Sequence, residues 1–437
     1  MHSSTGGKEA IKINRYAWLI FSVIAVNYFL VFFHRVSPAV MALLIKEEFA
    51  TGATTLGWMS STYFYTYAAI QPVVGYLVDR WGPRKTVVLF TLIAFLGSAV
   101  FGLAPDIWMA CFGRALIGLG VGGVYVPGMA LLARWFLPER FATVNGLFLA
   151  SGSLGGMVAA TPLAWLSGEI GWRPTFQIIA GATLLLALIG WLVIRDRRPD
   201  RTPVSLESEN APRRELTRIG LDFRQCVIVS CLLLGVGGTG LTFQGLWGYP
   251  FLLDVMGMGS IEAGNVMMLL PLGFVIGAPV VGRVSDWYGR RKPFLILAAA
   301  GFLGFWLVAV FVPRLMGCWA LGAMIFVLGV LFGSTVNLSF TVIRLETPAP
   351  ILGRVLGWVN PFAFVGVAVF QVMTGWLMDR VGKAGAGGFP PEAYRSAFML
   401  LLVVSAFTFL IVFVLREPRA KDRISTIPDR SADHSNL

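Results

Sequence analysis

Twelve apolar runs, each long enough to cross the roughly 30 Å of a bilayer's hydrocarbon as a helix, leave this chain little choice but a bundle of transmembrane helices. They cover 16–45, 55–78, 86–104, 108–133, 142–167 and 174–194, then 224–251, 263–282, 293–312, 317–343, 355–378 and 396–415. In lipid each backbone amide must be satisfied inside the protein, and a helix does so within its own segment. Charged residues are only 13% of the chain and mean hydropathy is +0.74, where a soluble domain carries roughly 25% charged residues. The first run is too long for a signal-peptide core and no small-residue cleavage site follows it, so it reads as a retained span.

The interval 195–223 breaks the series. It is dense in arginine, aspartate and glutamate and has no periodic apolar face. The chain therefore divides into an N-terminal unit of six helices (1–194), a charged linker (195–223) and a C-terminal unit of six with a polar tail (224–437). A net charge of +12 would suggest nucleic acid in a soluble chain. Here the bases fall on alternate loops. With both termini on one side, that side collects most of the 35 lysines and arginines, while the other holds only Lys46, Arg173, Arg314, Arg380, Lys383 and Arg395. Such a bias places both ends in the cytoplasm. It describes a multi-pass protein of the cell inner membrane whose basicity reports its orientation in lipid, with no nucleic-acid partner.

Cys111, Cys226, Cys231 and Cys318 lie in or beside apolar runs, without Cys-x-x-Cys spacing or a neighbouring histidine. His2 and His434 sit in the polar ends and His34 in the first run. Neither a disulfide framework nor a zinc set is spelled out. No phosphate-binding glycine loop or nucleophile–base set occurs either, so neither an enzyme, a cofactor nor a metal is expected.

The most informative motif occurs twice. Gly75-Tyr-Leu-Val-Asp79-Arg80-Trp-Gly82-Pro-Arg84-Lys85 follows the second run, and Gly282-Arg-Val-Ser-Asp286-Trp-Tyr-Gly289-Arg-Arg291-Lys292 follows the eighth. Each fits a tight charged turn between helices. Gly82 and Gly289 admit positive φ, Asp79 and Asp286 can cap a helix start, and the bases stay in water or lipid headgroups. A single copy would read as a basic surface loop. Two copies at matching places in two halves make an internal repeat.

Together with Arg114-x-x-x-Gly118-x-Gly120 in the fourth run, this duplicated loop resembles the major facilitator superfamily, and the resemblance extends over nearly the whole chain. It implies an all-α membrane protein of twelve transmembrane helices in two pseudo-symmetric six-helix bundles, with alternating access by rocking of one bundle on the other. It also implies that Gly75, Asp79, Gly82, Arg84 and Lys85, with Gly282, Asp286, Gly289, Arg291 and Lys292, form a conformational latch, and that Arg114 supports coupling. Gly118, Gly120, Gly122 and Gly123 read as close-packing positions between helices, because they lie inside a span. Shorter stretches are similar to the anion:cation symporter branch: Tyr67-x-x-x-Gln71-x-x-x-Gly75, Pro127 with Arg134-Trp135-Phe136, Gly171-Trp172-Arg173, Arg35 with Ser37 to Phe49, and Gly357-x-x-Asn360. Two positions depart from that branch: His34 stands where an acid commonly precedes the arginine, and Gln371 where proline is usual. The fifth run, with Gly146, Gly152, Gly155, Gly156 and Pro162, lacks the Gly-Pro-terminated series of drug/proton antiporters, which favours uptake over efflux.

Polar groups inside a bilayer are costly and usually functional. Arg35 has no acid in its own run and is assigned to binding an anionic group, the alternative being a structural pair with a polar group on another helix. Arg114 is assigned a coupling or structural role. Tyr63, Tyr67 and Gln71 recur at one-turn spacing and form a polar stripe on the second span. Tyr125, Gln244, Trp247, Asn337 and Asn360 complete the candidate substrate contacts, although each alone is as well explained by a hydrogen bond between helices. No Asp or Glu lies near the middle of any run, which leaves His34 as the proton-coupling candidate. Arg35 beside it disfavours a second positive charge, and an arriving anion would relieve that. The competing reading puts His34 in a helix contact of a uniporter or exchanger. The expected function is proton-coupled uptake of a small organic anion, a carboxylate or sugar acid, by a monomer in the lipid bilayer. An inorganic-anion or amino-acid-type porter or exchanger, a multidrug exporter and a substrate-sensing receptor remain as alternatives.

Protease acting on inside-out vesicles is expected to cut within 195–223 and leave two halves that stay associated. Protection of that whole segment, or cleavage at Arg173 or Arg380 from the same side, would overturn the division and the orientation.

Overall fold

The computed structural model describes residues 3–196, 223–312, 317–347, 349–381 and 388–417. Nearly all of the linker expected at 195–223, and the polar tail beyond 417, lie outside the described residues. Regular structure among the described residues is helical throughout. The first half comprises α1 (Ser3–Glu48), α2 (Ala53–Trp81), α3 (Pro83–Leu103), α4 (Ile107–Gly122), α5 (Tyr125–Trp135), α6 (Pro138–Val158), α7 (Thr161–Ile170) and α8 (Trp172–Val193). In the second half α9 (Phe223–Leu232), α10 (Gly238–Thr242) and α11 (Gly248–Asp254) form one rod, joined by π-helical turns at Leu233–Gly237 and Phe243–Trp247. Then come α12 (Ser260–Tyr288), α13 (Lys292–Phe311), α14 (Cys318–Glu346), α15 (Ala349–Val359), α16 (Pro361–Val381) and α17 (Pro391–Val412).

Ten rods among the described residues are long and apolar enough to cross a membrane, and the pair α6–α7, bent by 40° ahead of Pro162, makes an eleventh. The twelfth is α2, whose 29 residues are long enough but whose serines, threonines and tyrosines make it less apolar. Breaks fall where the sequence permits them: Gly122-Gly123 ends α4, and Pro361, which cannot donate a backbone hydrogen bond, separates α15 from α16. Close helix contacts rest on small residues. A Cβ on Gly118 would collide with the Tyr63 carbonyl of α2, and one on Gly333 with the Phe274 carbonyl of α12. The result is two six-helix bundles.

We call the face where α2 and α12 end the turn face, and the one where α1 ends and α2 begins the far face. On the turn face Gly82 and Gly289 take φ of +85° and +72°, the backbone expected of the repeated motif. The caps differ from expectation. Asp79 and Asp286 lie in the last turns of α2 and α12, and helical side chains lean back along their own helix, away from the helix that follows. The amides at the start of α3 are met instead by Asp196, whose Oδ1 accepts from the Arg84 N–H at 2.8 Å. In the second half Glu417 accepts from the Arg291 and Lys292 amides, the latter at 2.9 Å, while Asp286 pairs with the Arg291 guanidinium. Each turn is thus capped by an acid just beyond the last helix of its own bundle. Asp196 therefore belongs to the N-terminal bundle rather than to a free linker.

On the far face the bundles meet. Asp379, in the last turn of α16, accepts from the Ala53 and Thr54 amides that open α2, both at 2.8 Å, and from the Thr54 hydroxyl. The Lys46 ammonium donates to the Gly388 carbonyl at 3.0 Å and lies 4.5 Å from the Phe389 ring centroid. Gly57 and Gly375 let α2 and α16 touch backbone to backbone, since a Cβ there would collide with the Gln371 and Ala53 carbonyls respectively. Toward the turn face this seam ends. Pro72, Val73, Tyr76, Asp79 and Arg80 of α2 are exposed, as are Gly357 and Trp358 of α15. Among the described residues the bundles are joined at the far face, and this seam does not continue to the turn face.

A side-chain cap is worth about 1 kcal/mol, and a carboxylate at a helix N-terminus about as much again. Asp379→Asn should therefore shift the population of the sealed arrangement roughly tenfold. Spin labels at Glu169→Cys and Glu262→Cys, on opposite bundles, would read this as a grown long-distance component in pulsed EPR. Asp79→Asn, whose carboxylate has no partner among the described residues, should not produce that component. An unchanged distribution in Asp379→Asn would show that the cap does not hold the seal.

Candidate functional site

The site begins with a proline. Pro38 lacks the amide that would bond the His34 carbonyl one turn back in α1. That freed carbonyl accepts from Arg114 Nη1 of α4 at 2.8 Å and from the Ser37 hydroxyl at 3.3 Å. Arg114 is fully buried, with its guanidinium carbon 4.9 Å from the Tyr63 ring centroid. Tyr63 in turn donates its hydroxyl to the Val31 carbonyl at 2.9 Å. Arg114 and Tyr63 thus tie α1, α2 and α4 together around the carbonyl that Pro38 frees in α1.

Arg35 shares Tyr63 as a neighbour and also reaches the second bundle. It is 7% exposed, and its guanidinium carbon lies 4.3 Å from the Phe32 ring centroid, 5.3 Å from that of Phe364 and 5.8 Å from that of Tyr67. Its ionisable neighbours are Tyr63, Tyr67 and Tyr28. No described Asp or Glu forms an ion pair with it, and its Nε has no acceptor. Contacts with ring faces are worth about 2 kcal/mol each once desolvated. The Tyr63 and Tyr67 hydroxyls also neighbour the guanidinium, but Nε stays unmet on a planar fork whose geometry matches a carboxylate or sulfonate. Because Phe364 belongs to α16 and the other rings to the first bundle, the ring cluster around Arg35 is shared between bundles.

Of the expected contacts, the structure gathers Arg35, Tyr63, Tyr67 and Gln71. Gln71 is partly exposed, with its amide 3.4 Å from the Gly122 carbonyl. Tyr125 adjoins them through Tyr28, ring centroids 5.6 Å apart. Gln244 is buried on the second π-turn, next to Gly245, which abuts the Arg35 carbonyl. Three candidates lie elsewhere. Trp247 donates to Thr374 Oγ1 at 2.8 Å inside the second bundle, Asn337 donates to the Ala278 carbonyl at 2.9 Å, and Asn360 stands at the α15–α16 break. His34 is fully buried, its Nε2 3.4 Å from Ser98 Oγ and its ring 6.0 Å from that of Phe176. It points into the first bundle because neighbouring residues on a helix lie about 100° apart.

Four residues of this region were not singled out from the sequence as contacts: Tyr28, Phe32, Phe364 and Gln371. Aromatic residues on lipid-embedded helices give no signal that separates a cavity wall from a lipid contact. Gln371 did give one, an amide in an apolar run. Asp379 was also legible, since Gly375-Trp-Leu-Met-Asp379-Arg380 echoes Gly75-Tyr-Leu-Val-Asp79-Arg80.

Residues 20–371 match the Major Facilitator Superfamily. The chain is 23% identical over 389 residues to a probable sulfoacetate transporter, SauU, of Cupriavidus necator, covering 86% of this chain and 90% of that one. It is also 23% identical over 402 residues to a hexuronate transporter of Bacillus subtilis, covering 88% and 91%. A bacterial homologue of the human lysosomal transporter Spinster, solved inward-facing and unoccupied, shares the fold with a TM-score of 0.70 at 18% identity over 92% of this chain and 98% of that one. With its two bundles and a ring cluster shared between them, this chain belongs to the Major Facilitator Superfamily and is a membrane transporter of a small molecule.

Proposed function

We propose that the transported molecule is a small organic anion, carried inward by alternating access, with its charged group held by Arg35 and its body lined by Tyr63, Tyr67 and Gln71. The observation that carries this reading is the buried guanidinium of Arg35, which has aromatic faces around it and no acid among the described residues to pair with. A positive charge in that position gains most from a ligand that brings the missing negative one. Two similar proteins are named for sulfoacetate and hexuronate, which are both organic anions. With the turn face in the cytoplasm, as the distribution of bases indicates, the side that the seam does not reach faces inward and the Asp379 seal faces outward.

Proton coupling in this reading falls to His34, which titrates near neutrality when unperturbed. Its burial against Ser98 and Phe176, off the Arg35 ring cluster, favours a second reading in which the protein exchanges anions or lets them equilibrate without protons.

Counterflow of radiolabelled sulfoacetate and glucuronate in proteoliposomes tests the first reading, because a receptor without a transport path binds but does not exchange. Arg35→Lys keeps the charge but loses the fork, so apparent affinity should fall at least about tenfold with insertion intact. Undiminished affinity in Arg35→Lys would overturn the assignment. His34→Gln should keep exchange and lose acceleration by an inward proton gradient. If His34→Gln still concentrates substrate on that gradient alone, His34 is not the coupling group.

A further inference from the structure

We propose that Gln371 is a substrate-contacting residue that sets specificity, taking a hydroxyl or second polar group of the anion whose charged end Arg35 holds. The proposal rests on Arg35 being the anion site. Gln371 lies on α16, is fully buried, and neither its side-chain nitrogen nor its side-chain oxygen has a hydrogen-bond partner. A buried amide with nothing to bond costs roughly 1–3 kcal/mol per unmet group, and native structures hold few such groups without a reason.

Its surroundings point to a ligand rather than to a helix contact. The position that a side chain on Gly245 would fill lies 3.3 Å from the Arg35 carbonyl oxygen and 3.4 Å from Gln371 Nε2. The amide and the backbone of the arginine thus stand on either side of one spot that glycine leaves clear. Gly245 sits in the π-helical turn Phe243–Trp247, and such turns are frequent at functional sites. Along α16, Phe364, Ala368 and Gln371 follow one another on a single face toward the first bundle. Phe364 covers the Arg35 guanidinium, the Ala368 carbonyl accepts from Ser61 at 2.8 Å, and the Gln371 carbonyl abuts Gly57. Gln371 therefore lies on the inter-bundle seam, about two turns beyond Phe364 toward the far face. Parting the seam uncovers the amide and the guanidinium together. An amide offers two donors and an acceptor, which suits hydroxyl groups or a second oxyanion and gives nothing to an alkyl chain.

Titration calorimetry on purified wild type, Gln371→Met, Gln371→Asn and Arg35→Lys tests this with two carboxylates of similar ring size: glucuronate, which is hydroxylated, and cyclohexanecarboxylate, which is not. Gln371→Met should weaken glucuronate at least tenfold and leave cyclohexanecarboxylate unchanged. Gln371→Asn should recover part of the loss, and Arg35→Lys should weaken both ligands. Because methionine removes unmet polar groups at similar volume, the unliganded melting temperature of Gln371→Met should hold or rise. A lower melting temperature with glucuronate affinity unchanged, or equal loss for both ligands, would make Gln371 a structural residue and overturn the proposal while the Arg35 reading stands. Binding of both ligands unaltered in Arg35→Lys, or of neither by the wild type, would remove the Arg35 reading and this inference with it.

Discussion

A positive charge held among aromatic faces, with no acid among the described residues to answer it, is the constraint around which this protein is arranged. Removing a charge from water costs several kcal/mol even after relaxation, and ring faces return only part of that. The two buried arginines of the first bundle meet the demand differently. Arg114 takes the carbonyl that Pro38 sets free, so it is anchored by the fold. Arg35 leaves its Nε unmet among the rings of Phe32, Tyr67 and Phe364. Both arginines keep unmet donors, Nε on Arg35 and Nε and Nη2 on Arg114; what differs is that Arg114 is pinned to the backbone of α1 while the rings around Arg35 include one from the second bundle.

Because Phe364 comes from the second bundle, the ring cluster around Arg35 is complete only while α2 and α16 are joined. At the far face the joint is an N-cap: an acid at the end of α16 closes the start of α2. The same two helices run antiparallel, so Asp79 at the end of α2 lies at the other end of the same seam, exposed and without a partner among the described residues. Each cap adds about 1–2 kcal/mol, enough to bias a two-state equilibrium without locking it.

The spans, the two bundles and the glycine turns were legible because length, hydropathy and positive φ are set locally. Arg35, Tyr63 and Tyr67 were legible because polar side chains inside lipid stand out. The caps were not: Asp79 looked like the natural partner of α3, yet the last turn of α2 holds it away, and Asp196 and Glu417 arrive from helices distant in sequence. His34 and Arg35 are neighbours in the chain but diverge around the helix, so adjacency in sequence overstated their contact. Asp379 carried a third copy of the motif, at a face where a cytoplasmic latch was not expected. Gln371 was visible as an amide where proline is usual, and only the three-dimensional meeting of α1, the π-turn and α16 gave it a neighbour.

The claim that Arg35 is an anion receptor is tested most directly by changing the charge of the ligand while leaving the protein untouched. Calorimetric affinities of the wild type for glucuronate and for its uncharged amide, glucuronamide, differ only through the group the guanidinium is held to bind. A loss of at least about tenfold for the amide is expected, since hydrogen bonds to a charged partner are worth about 1.5–3 kcal/mol. Equal affinity for the two would contradict it.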